Sequence, residues 1–347
     1  MPLAMEEDKV SAAAQVRLVA ARIAACSVGE STDAITPTFD ALMQRMERTP
    51  WPELLWSFSS LCQDQCPVEF TFSSEDNAVR YTTEIAGPEL LENLRLDAAC
   101  ECLEELALES PPVAVVAEWR KMQANAVLRW GAWLGVRHKG NNRAAKLYIE
   151  VPRERRWGPR PLTPGSRLHM IGFDPSTGAQ EHYFRTSASD DIEHATLLQS
   201  FRQHTQWPRL LETFSALCQM PGEAALRRTR FGYSLRPGLN ATDPGGLTLF
   251  VDAEACGGAR GVRKHLQETM GPERYRKSAY ATLLANVPGE QLPPHGVVGI
   301  AVAPSGRVEL RVGVSALALA GIDSSKSTVT IPSDGSPLFH AQSNFCA

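Results

Sequence analysis

The sequence predicts an α+β fold in which ten antiparallel strands, arranged as five hairpins, close into a β-barrel surrounded by α-helices. Five pairs of strand-like segments each enclose a short polar turn, with turn centres near positions 75, 141, 176, 241 and 305 of the 347-residue chain. Helix-like segments separate most of these hairpins, so the pattern repeats along the chain. Closure into a barrel removes the sheet edges that five separate hairpins would expose. We therefore predict one large domain rather than two ordinary ones.

The chain begins with helix-like segments. Residues 8–26, 37–47 and 50–62 carry apolar residues at steps of three and four. Pro50 and Pro52 separate the second segment from the third, because proline is tolerated in the first turn of a helix but not in its interior. The predicted organisation is an N-terminal helical extension over 1–49 that packs on the barrel, a barrel domain over 50–316, and a C-terminal tail over 317–347.

Each predicted hairpin shows the alternation of residue types that is typical of β-strands. The strand segments are 68–72 with 79–85, 134–137 with 145–151, 168–173 with 181–186, 229–235 with 247–252, and 297–303 with 307–314. Residues 88–130, 190–219 and 258–286 each predict two helices, whereas 152–167 is rich in proline and arginine and predicts an exposed basic loop. A barrel of ten strands is wider than one filled by its own side chains, so we expect it to enclose a ligand cavity.

The composition argues against several classes of partner. Lysine and arginine number 35 against 39 aspartate and glutamate residues, a formal net charge of −4, so we expect no nucleic-acid or membrane partner. The chain has no run of 18 apolar residues, and acidic residues precede its first apolar stretch, unlike a secretory signal. The eight cysteines are scattered without a CxxC pair. We therefore expect a soluble, cytoplasmic protein with free thiols, and a monomer.

Polar side chains alternate along most strands, although helices must cover the outside of the barrel. The polar set is therefore predicted to face the lumen. This lumen-facing set includes Glu69, Arg80, Lys146, Tyr148, Glu181, Tyr183, Arg185, Arg236, Phe250, Glu309 and Arg311. The third hairpin also allows the opposite phase, with Gln180 and His182 inward. Cations that converge from several strands indicate an anion site suited to a diphosphate, and tyrosines beside them offer π faces for a developing cation. The alternative for any one hairpin is a solvated sheet face with incidental charges.

Several strings of sequence resemble a known family. CPVEF (66–70), AKLYIEVP (145–152), LHMIGFD with TGAQEHYF (168–184) and VVGIAVAPSGRVELRVGV (297–314) resemble the corresponding hairpins of the cyanobactin-type peptide prenyltransferases. The second and third strings also resemble the indole prenyltransferases of the tryptophan dimethylallyltransferase type. Five helix–hairpin repeats that close a ten-stranded barrel look like the ABBA prenyltransferases, and the resemblance spans residues 50–316 in order.

The resemblance implies a role for each lumen residue. Glu69 matches a first-strand glutamate that accepts a proton from the nucleophile, and Arg80 matches an arginine that binds diphosphate. Lys146 and Tyr148 match a Lys-x-Tyr pair that binds diphosphate and shields the allyl cation. Tyr183 and Arg185 fall where a further tyrosyl or cationic pair is expected. Phe250 and Arg311 stand where tyrosines usually complete the shield, so Phe250 remains a shield residue, and Arg311 joins Arg236 as a diphosphate ligand.

These roles predict a prenyltransferase of natural-product biosynthesis. It would move a dimethylallyl or geranyl group from its diphosphate to a side chain of a peptide, such as a cyclic one. A small-molecule indole or aromatic acceptor is the alternative, and a catalytically silent barrel that binds a peptide or an isoprenoid is a further one. Mg²⁺ is expected to accompany the diphosphate, which would hold it mainly by itself, because the sequence contains no DDxxD motif and offers no protein ligands for a metal.

Overall fold

The computed structural model describes residues 12–26, 35–155, 157–158, 166–186, 191–202, 204–229, 231–236, 246–285, 287, 292–302 and 306–321. Within the predicted N-terminal extension, residues 1–11 and 27–34 lie outside these ranges. The predicted C-terminal tail from 322 onward and the turn centres predicted near 241 and 305 also lie outside them.

Ten strands form one closed antiparallel barrel, so the predicted fold class is confirmed. Successive strands pair as five hairpins, neighbouring hairpins pair with each other, and β1 pairs with β10 to close the ring. The strands are β1 (Val68–Ser73), β2 (Val79–Glu84), β3 (Ala132–Lys139), β4 (Asn142–Glu150), β5 (Ser166–Asp174), β6 (Ala179–Thr186), β7 (Phe231–Arg236), β8 (Gly246–Asp252), β9 (His295–Val302) and β10 (Val308–Ser315). Each of these strands therefore has a hydrogen-bonded partner on both sides.

The barrel has two distinct ends. Strand ends joined by the hairpin connections form the turn end, which includes Ser73, Val79, Asp174, Ala179, Arg236 and Val308. The opposite strand ends, from which the chain passes to the next hairpin or to the terminal helices, form the linker end, which includes Val68, Glu84, Glu150, Ser166, Thr186, His295 and Ser315. Two lumen-facing residues of one strand can therefore lie near opposite ends of the barrel, because each residue advances about 3.4 Å along an antiparallel strand.

Helices surround the barrel and bury their apolar sides against its outer face. They are α1 (Ala12–Cys26), α2 (Ile35–Glu47), α3 (Pro52–Phe58), α4 (Arg95–Glu105), α5 (Val113–Gln123), α6 (Asp191–Phe201), α7 (Trp207–Cys218), α8 (Gly222–Arg228), α9 (Gly258–Met270), α10 (Pro272–Arg276), α11 (Ala279–Ala285) and α12 (Ala316–Ala320). In the predicted basic loop, the described residues 152–155 and 157–158 contain no helix, and residues 153–155 are exposed. None of the helices in the described ranges has the length and apolarity required to cross a bilayer.

Helix α3 ends earlier than the sequence predicts. The prediction extended this helix to residue 62, but the backbone becomes extended at Ser59. There the Ser59 hydroxyl and the Ser60 N–H both donate to a carboxylate oxygen of Glu84, at 3.0 and 3.1 Å. The end of α3 is therefore fixed by a long-range contact with the barrel, which helical periodicity does not reveal.

The strand register settles which side chains face the lumen. Tyr183 contacts the rings of Tyr148 and Phe250 inside the barrel, whereas Phe184 stacks on Tyr233 in the outer core. The third hairpin therefore turns Glu181, Tyr183 and Arg185 inward, and the opposite phase is wrong. Glycines lie directly across from the large lumen side chains: Gly135 from Lys146, Gly172 from Tyr148 and Glu181, Gly232 from Arg185 and Phe250, and Gly299 from Phe250 and Arg311.

A buried ion pair joins the barrel to α4. Arg95 donates to Glu84 at 2.9 Å and to the carbonyl oxygens of Gly87 and Leu90 at 3.0 and 3.3 Å. Arg95 is 6% exposed and Glu84 is 2% exposed. Because both charges are removed from water, the desolvation cost of each one is offset by its attraction to the other.

Arg95→Leu is expected to lower the free energy of unfolding by about 3–5 kcal/mol, because it leaves the buried Glu84 carboxylate without its cation. Urea denaturation at neutral pH measures the change. Arg120→Leu is the matched control: Arg120 bonds Asp97 at 2.6 Å from a half-exposed position, and such surface pairs contribute about 0–1 kcal/mol. Equal losses of unfolding free energy in the two variants would show that the buried Glu84–Arg95 pair stabilises the fold no more than a surface ion pair does.

Candidate active site

Glu69 lies near the linker end of the lumen beside a small cavity. The cavity has a volume of about 240 Å³ and is lined by residues 61–64, Glu69, residues 294–297 and Ser315. Glu69 is 4% exposed, and its Oε1 atom has no hydrogen-bond partner within the described ranges. Burial, reinforced by the neighbouring Asp64 and Cys66, raises the pKa of Glu69 to about 8. A carboxyl group with this pKa is well matched to proton transfer near neutral pH.

Aromatic side chains fill the middle of the lumen. The ring centroids of Tyr148 and Tyr183 are 6.1 Å apart in an edge-on arrangement, and those of Tyr183 and Phe250 are 5.6 Å apart. All three predicted shield residues thus belong to one buried cluster, together with Leu61, Trp130, Trp133, Met170 and Val297. The two tryptophans were not predicted to lie here; their rings stack with the centroids 3.7 Å apart. The cluster offers π faces and excludes water, as a reactive carbocation requires.

Four of the predicted diphosphate ligands lie toward the turn end, and each has an acidic partner. Arg80 binds Asp76 through two contacts of 2.7 and 2.8 Å. The Lys146 Nζ atom lies 2.5 Å from a carboxylate oxygen of Glu181, and Arg236 lies 3.6 Å from the same carboxylate. Arg311 binds Glu309 through two contacts of 2.9 and 2.8 Å. The cations are therefore grouped as predicted, but the protein's own carboxylates largely neutralise them.

Lys146 has the most central position of these cations. Its Nζ atom donates to the hydroxyl of Tyr183 at 2.8 Å and lies 5.4 and 5.3 Å from the ring centroids of Tyr148 and Tyr183. It therefore connects the aromatic cluster to the charged groups at the turn end. A phosphate bound to Lys146 would lie against the aromatic faces, so charge separation on ionisation would be stabilised on both sides.

Arg185 does not join the other predicted diphosphate ligands. It faces the lumen four residues after Glu181 on β6, a separation of about 13 Å along an antiparallel strand. At the linker end it lines a small cavity together with Arg129, Arg153, Arg167, His169 and Glu150. The Glu150 carboxylate there accepts three backbone N–H bonds, from Arg129, Trp130 and Gly131. The lumen thus has two separate basic regions, one at each end.

Gly172→Ala is expected to weaken the predicted binding of an allylic diphosphate without removing any charge. A Cβ atom at Gly172 would lie 2.5 Å from Lys146 Cε and 3.0 Å from a ring carbon of Tyr183, so Lys146 would have to move. We expect the dissociation constant for dimethylallyl diphosphate to rise about tenfold or more, because a displacement of about 1 Å is costly in such sites. Calorimetric titration measures the dissociation constant. Gly178→Ala is the control for affinity: the added Cβ has no neighbouring atom within 4 Å, and although the φ of 69° at this turn glycine makes alanine costly for stability, the affinity should not change. Unchanged affinity in Gly172→Ala would contradict the placement of Lys146.

No preformed metal centre is evident among the described residues, since none of their His, Cys, Asp and Glu side chains form a group of three or more suited to a metal ion. Glu181 and Glu309, the carboxylates nearest the predicted diphosphate position, are already bonded to Lys146 and Arg311. Mg²⁺ carried by the diphosphate stays a prediction.

The barrel and its surrounding helices are similar to several solved structures. The barrel is similar to 5-dimethylallyl tryptophan synthase from Streptomyces coelicolor in complex with DMASPP and Trp, with a TM-score of 0.67 and 15% identity over 94% of this chain and 98% of that one. The fold is that of the ABBA prenyltransferases. It is also similar to 6-dimethylallyltryptophan synthase from Micromonospora olivasterospora in complex with DMASPP and Trp (TM-score 0.66, 15% identity, 89% and 98% covered). AnaPT from Neosartorya fischeri is a third match (TM-score 0.59, 12% identity, 85% and 91% covered).

These structural relatives agree with the second of the two predicted resemblances, the tryptophan dimethylallyltransferase type. The closer resemblance to the cyanobactin-type enzymes stays a prediction. No protein-family model matches the sequence, and no curated protein sequence matches it either.

Proposed function

We propose that this protein is a prenyltransferase that moves a dimethylallyl or geranyl group from an allylic diphosphate to an aromatic acceptor in the lumen. One arrangement carries the proposal: the closed ABBA barrel brings Lys146, the Tyr148–Tyr183–Phe250 cluster and the buried Glu69 into a single lumen. Prenyl transfer needs a group that binds the leaving diphosphate, a dry aromatic enclosure for the cation and a base. The lumen supplies a candidate for each.

The donor would lie with its diphosphate toward the turn end and its prenyl chain against the aromatic cluster. Lys146, Arg236, Arg311 and Arg80 are the candidate ligands for the diphosphate oxygens. As the allylic C–O bond breaks, the diphosphate leaves with the electron pair, and the faces of Tyr148 and Tyr183 stabilise the allyl cation. The acceptor carbon then supplies the electrons of the new C–C bond, and its proton passes to the ionised Glu69.

The acceptor would approach from the linker end, where Glu69 and its cavity lie. An indole ring is supported by the structural relatives crystallised with tryptophan and by the aromatic lining of the lumen. Arg129, Arg153, Arg167 and Arg185 at the same end favour an acceptor that carries a carboxylate. A free amino acid such as tryptophan combines both features.

A peptide acceptor is the second candidate, in line with the sequence resemblance. The observation that favours it is the rim of the Glu69 cavity, where Gln63 and Pro294 are exposed. A side chain that projects from a larger, cyclic molecule could enter past these two residues without the whole acceptor entering the lumen.

Incubation of the protein with dimethylallyl or geranyl diphosphate and a panel of acceptors tests the proposal. The panel contains tryptophan, tryptamine, which lacks the carboxylate, and linear and cyclic peptides that contain tryptophan or tyrosine. Mass spectrometry should detect a prenylated product. If the arginines bind a carboxylate, tryptophan should give more product than tryptamine. Preference for a cyclic peptide would favour the second candidate. Diphosphate binding without any product would favour the silent barrel, and each assay is run with Mg²⁺ and with EDTA to test the metal.

A further inference from the structure

Glu181 occupies the position among the lumen cations where a bound anion would be expected. Its Oε2 atom lies 2.5 Å from Lys146 Nζ and 3.6 Å from Arg236, and its Oε1 atom accepts a hydrogen bond of 2.5 Å from the Ser234 hydroxyl. Glu181 is 4% exposed, so water contributes little to its solvation. Its carboxylate therefore uses the same donors that a diphosphate would use.

The surroundings of Glu181 are almost entirely cationic or neutral. The groups that face it are Lys146 and Tyr148 from β4, Gly172 from β5, Tyr183 from its own strand, Ser234 and Arg236 from β7, and Arg311 from β10, whose partner is Glu309. His182, the next residue, belongs to the opposite face of β6. Burial by itself would raise the pKa of Glu181, but the charges of Lys146, Arg311 and Arg236 lower it well below its usual range. Glu181 is thus ionised when no anionic ligand is bound.

We propose that Glu181 is an internal competitor of the donor: a diphosphate binds by replacing the Glu181 carboxylate on Lys146 and Arg236, and Glu181 takes up one proton as it is displaced. This inference rests on the proposed function for the identity of the donor headgroup. It makes Glu181 the residue that sets how tightly, and at what pH, the lumen holds a diphosphate.

The proton follows from electrostatics. When phosphate oxygens accept the hydrogen bonds of Lys146 and Arg236, the Glu181 carboxylate loses its cations and faces a group of like charge in a buried site. Both changes favour the neutral form of a carboxyl group. The proton comes from solvent, the O–H bond at Glu181 is the only new covalent bond in the protein, and this O–H donates to a phosphate oxygen or to the Ser234 Oγ atom. Donor affinity is therefore coupled to proton concentration through Glu181.

Glu181→Gln tests the competition, because it keeps the shape of the side chain and removes its charge. Calorimetric titration with inorganic diphosphate at pH 8, with EDTA present, should give a dissociation constant at least about tenfold lower than that of the wild type. The difference should shrink as the pH falls and the wild-type Glu181 takes up its proton more easily. Glu181→Asp retains the charge, so its affinity for diphosphate should remain low. Ser234→Ala removes one hydrogen-bond donor to Glu181 but leaves the carboxylate charge in place, so it should change the affinity far less than Glu181→Gln.

Proton uptake in the wild type supplies a measurement that does not depend on the variant folding. Titrations in two buffers of different ionisation enthalpy count the protons taken up, after subtraction of those that diphosphate itself binds. A value near one supports the proposal, and a value near zero overturns it. A Glu181→Gln protein that is folded but binds no more tightly than the wild type overturns it as well, as does the absence of binding to both proteins. Because no acceptor is present, failure of prenyl transfer in the separate assay leaves these outcomes unaffected.

Discussion

Glu69→Gln is expected to lower kcat/KM for prenyl transfer by about a hundred- to ten-thousand-fold, the range over which a positioned general base contributes. Glutamine preserves the volume of the side chain beside the 240 Å³ cavity but has no carboxylate to receive the acceptor's proton. The binding of dimethylallyl diphosphate should change little, because the candidate diphosphate ligands lie toward the turn end and Glu69 lies at the linker end. Steady-state turnover and a separate donor titration measure the two quantities.

The pH dependence sharpens this prediction. The pKa of Glu69 is about 8, because burial, together with the neighbouring Asp64 and Cys66, disfavours its ionised form. Only the ionised form accepts a proton, so wild-type kcat/KM should rise with pH and level off above about 8. The Glu69→Gln variant should lack this ionisation. If the wild-type profile were flat between pH 6 and 9, Glu69 would not be the base.

Stability provides the control for Glu69→Gln. A carboxyl group whose pKa is higher in the folded than in the unfolded state keeps more protons when folded, so the fold loses stability as the pH rises from about 4, where the group ionises in the unfolded chain, to about 8. The glutamine variant should therefore be at least as stable as the wild type at pH 9, and lost turnover would not reflect unfolding. Glu118→Gln, at an exposed position on α5, should change neither turnover nor the pH profile.

The fold was largely predictable because its signals are local. Alternation along 68–72 and 145–151, the turn residues between strands and the helical spacing between hairpins are read within short windows of sequence. Closure followed from the need to pair the edges of five hairpins. The early end of α3 was not predictable in this way, because a carboxylate of Glu84 on β2 fixes it, 25 residues away from Ser59.

The sequence predicted which side chains of the candidate site face the lumen, but not which of them contact each other there. Strand alternation correctly turned Lys146, Tyr148 and Tyr183 toward the lumen, yet it carries no information about which groups meet across the lumen. Glu181 shares the inward phase of Tyr183 and Arg185, but its contact with Lys146 depends on the register between strands and on Gly172 lying opposite both Tyr148 and Glu181. Alternation likewise does not show that Arg185 lies near the linker end, away from the other cations, because that depends on where β6 begins and ends in the barrel.

Lys146→Ala is expected to lower kcat for prenyl transfer by about a hundred- to a thousand-fold, the usual effect of removing one preorganised group that stabilises developing charge. Lys146 is the cation closest to the aromatic cluster, with Nζ about 5 Å from the centroids of Tyr148 and Tyr183. Its loss removes the group best placed to bind the leaving diphosphate next to the allyl cation. Donor affinity should fall less than kcat, because Arg236 and Arg311 remain.

The same substitution should also destabilise the fold, because it removes the nearest cation from the buried carboxylate of Glu181. Lys146→Ala combined with Glu181→Gln removes both charges, so it should recover much of the lost stability but none of the lost turnover. Thermal denaturation and turnover of the single and double variants separate the two roles of Lys146. Lys139→Ala, at the exposed end of β3, is the control for loss of a lysine charge near the turn end. Recovery of turnover in the double variant would show that Lys146 matters only as the partner of Glu181, and near-normal kcat in Lys146→Ala would remove it from the proposed mechanism.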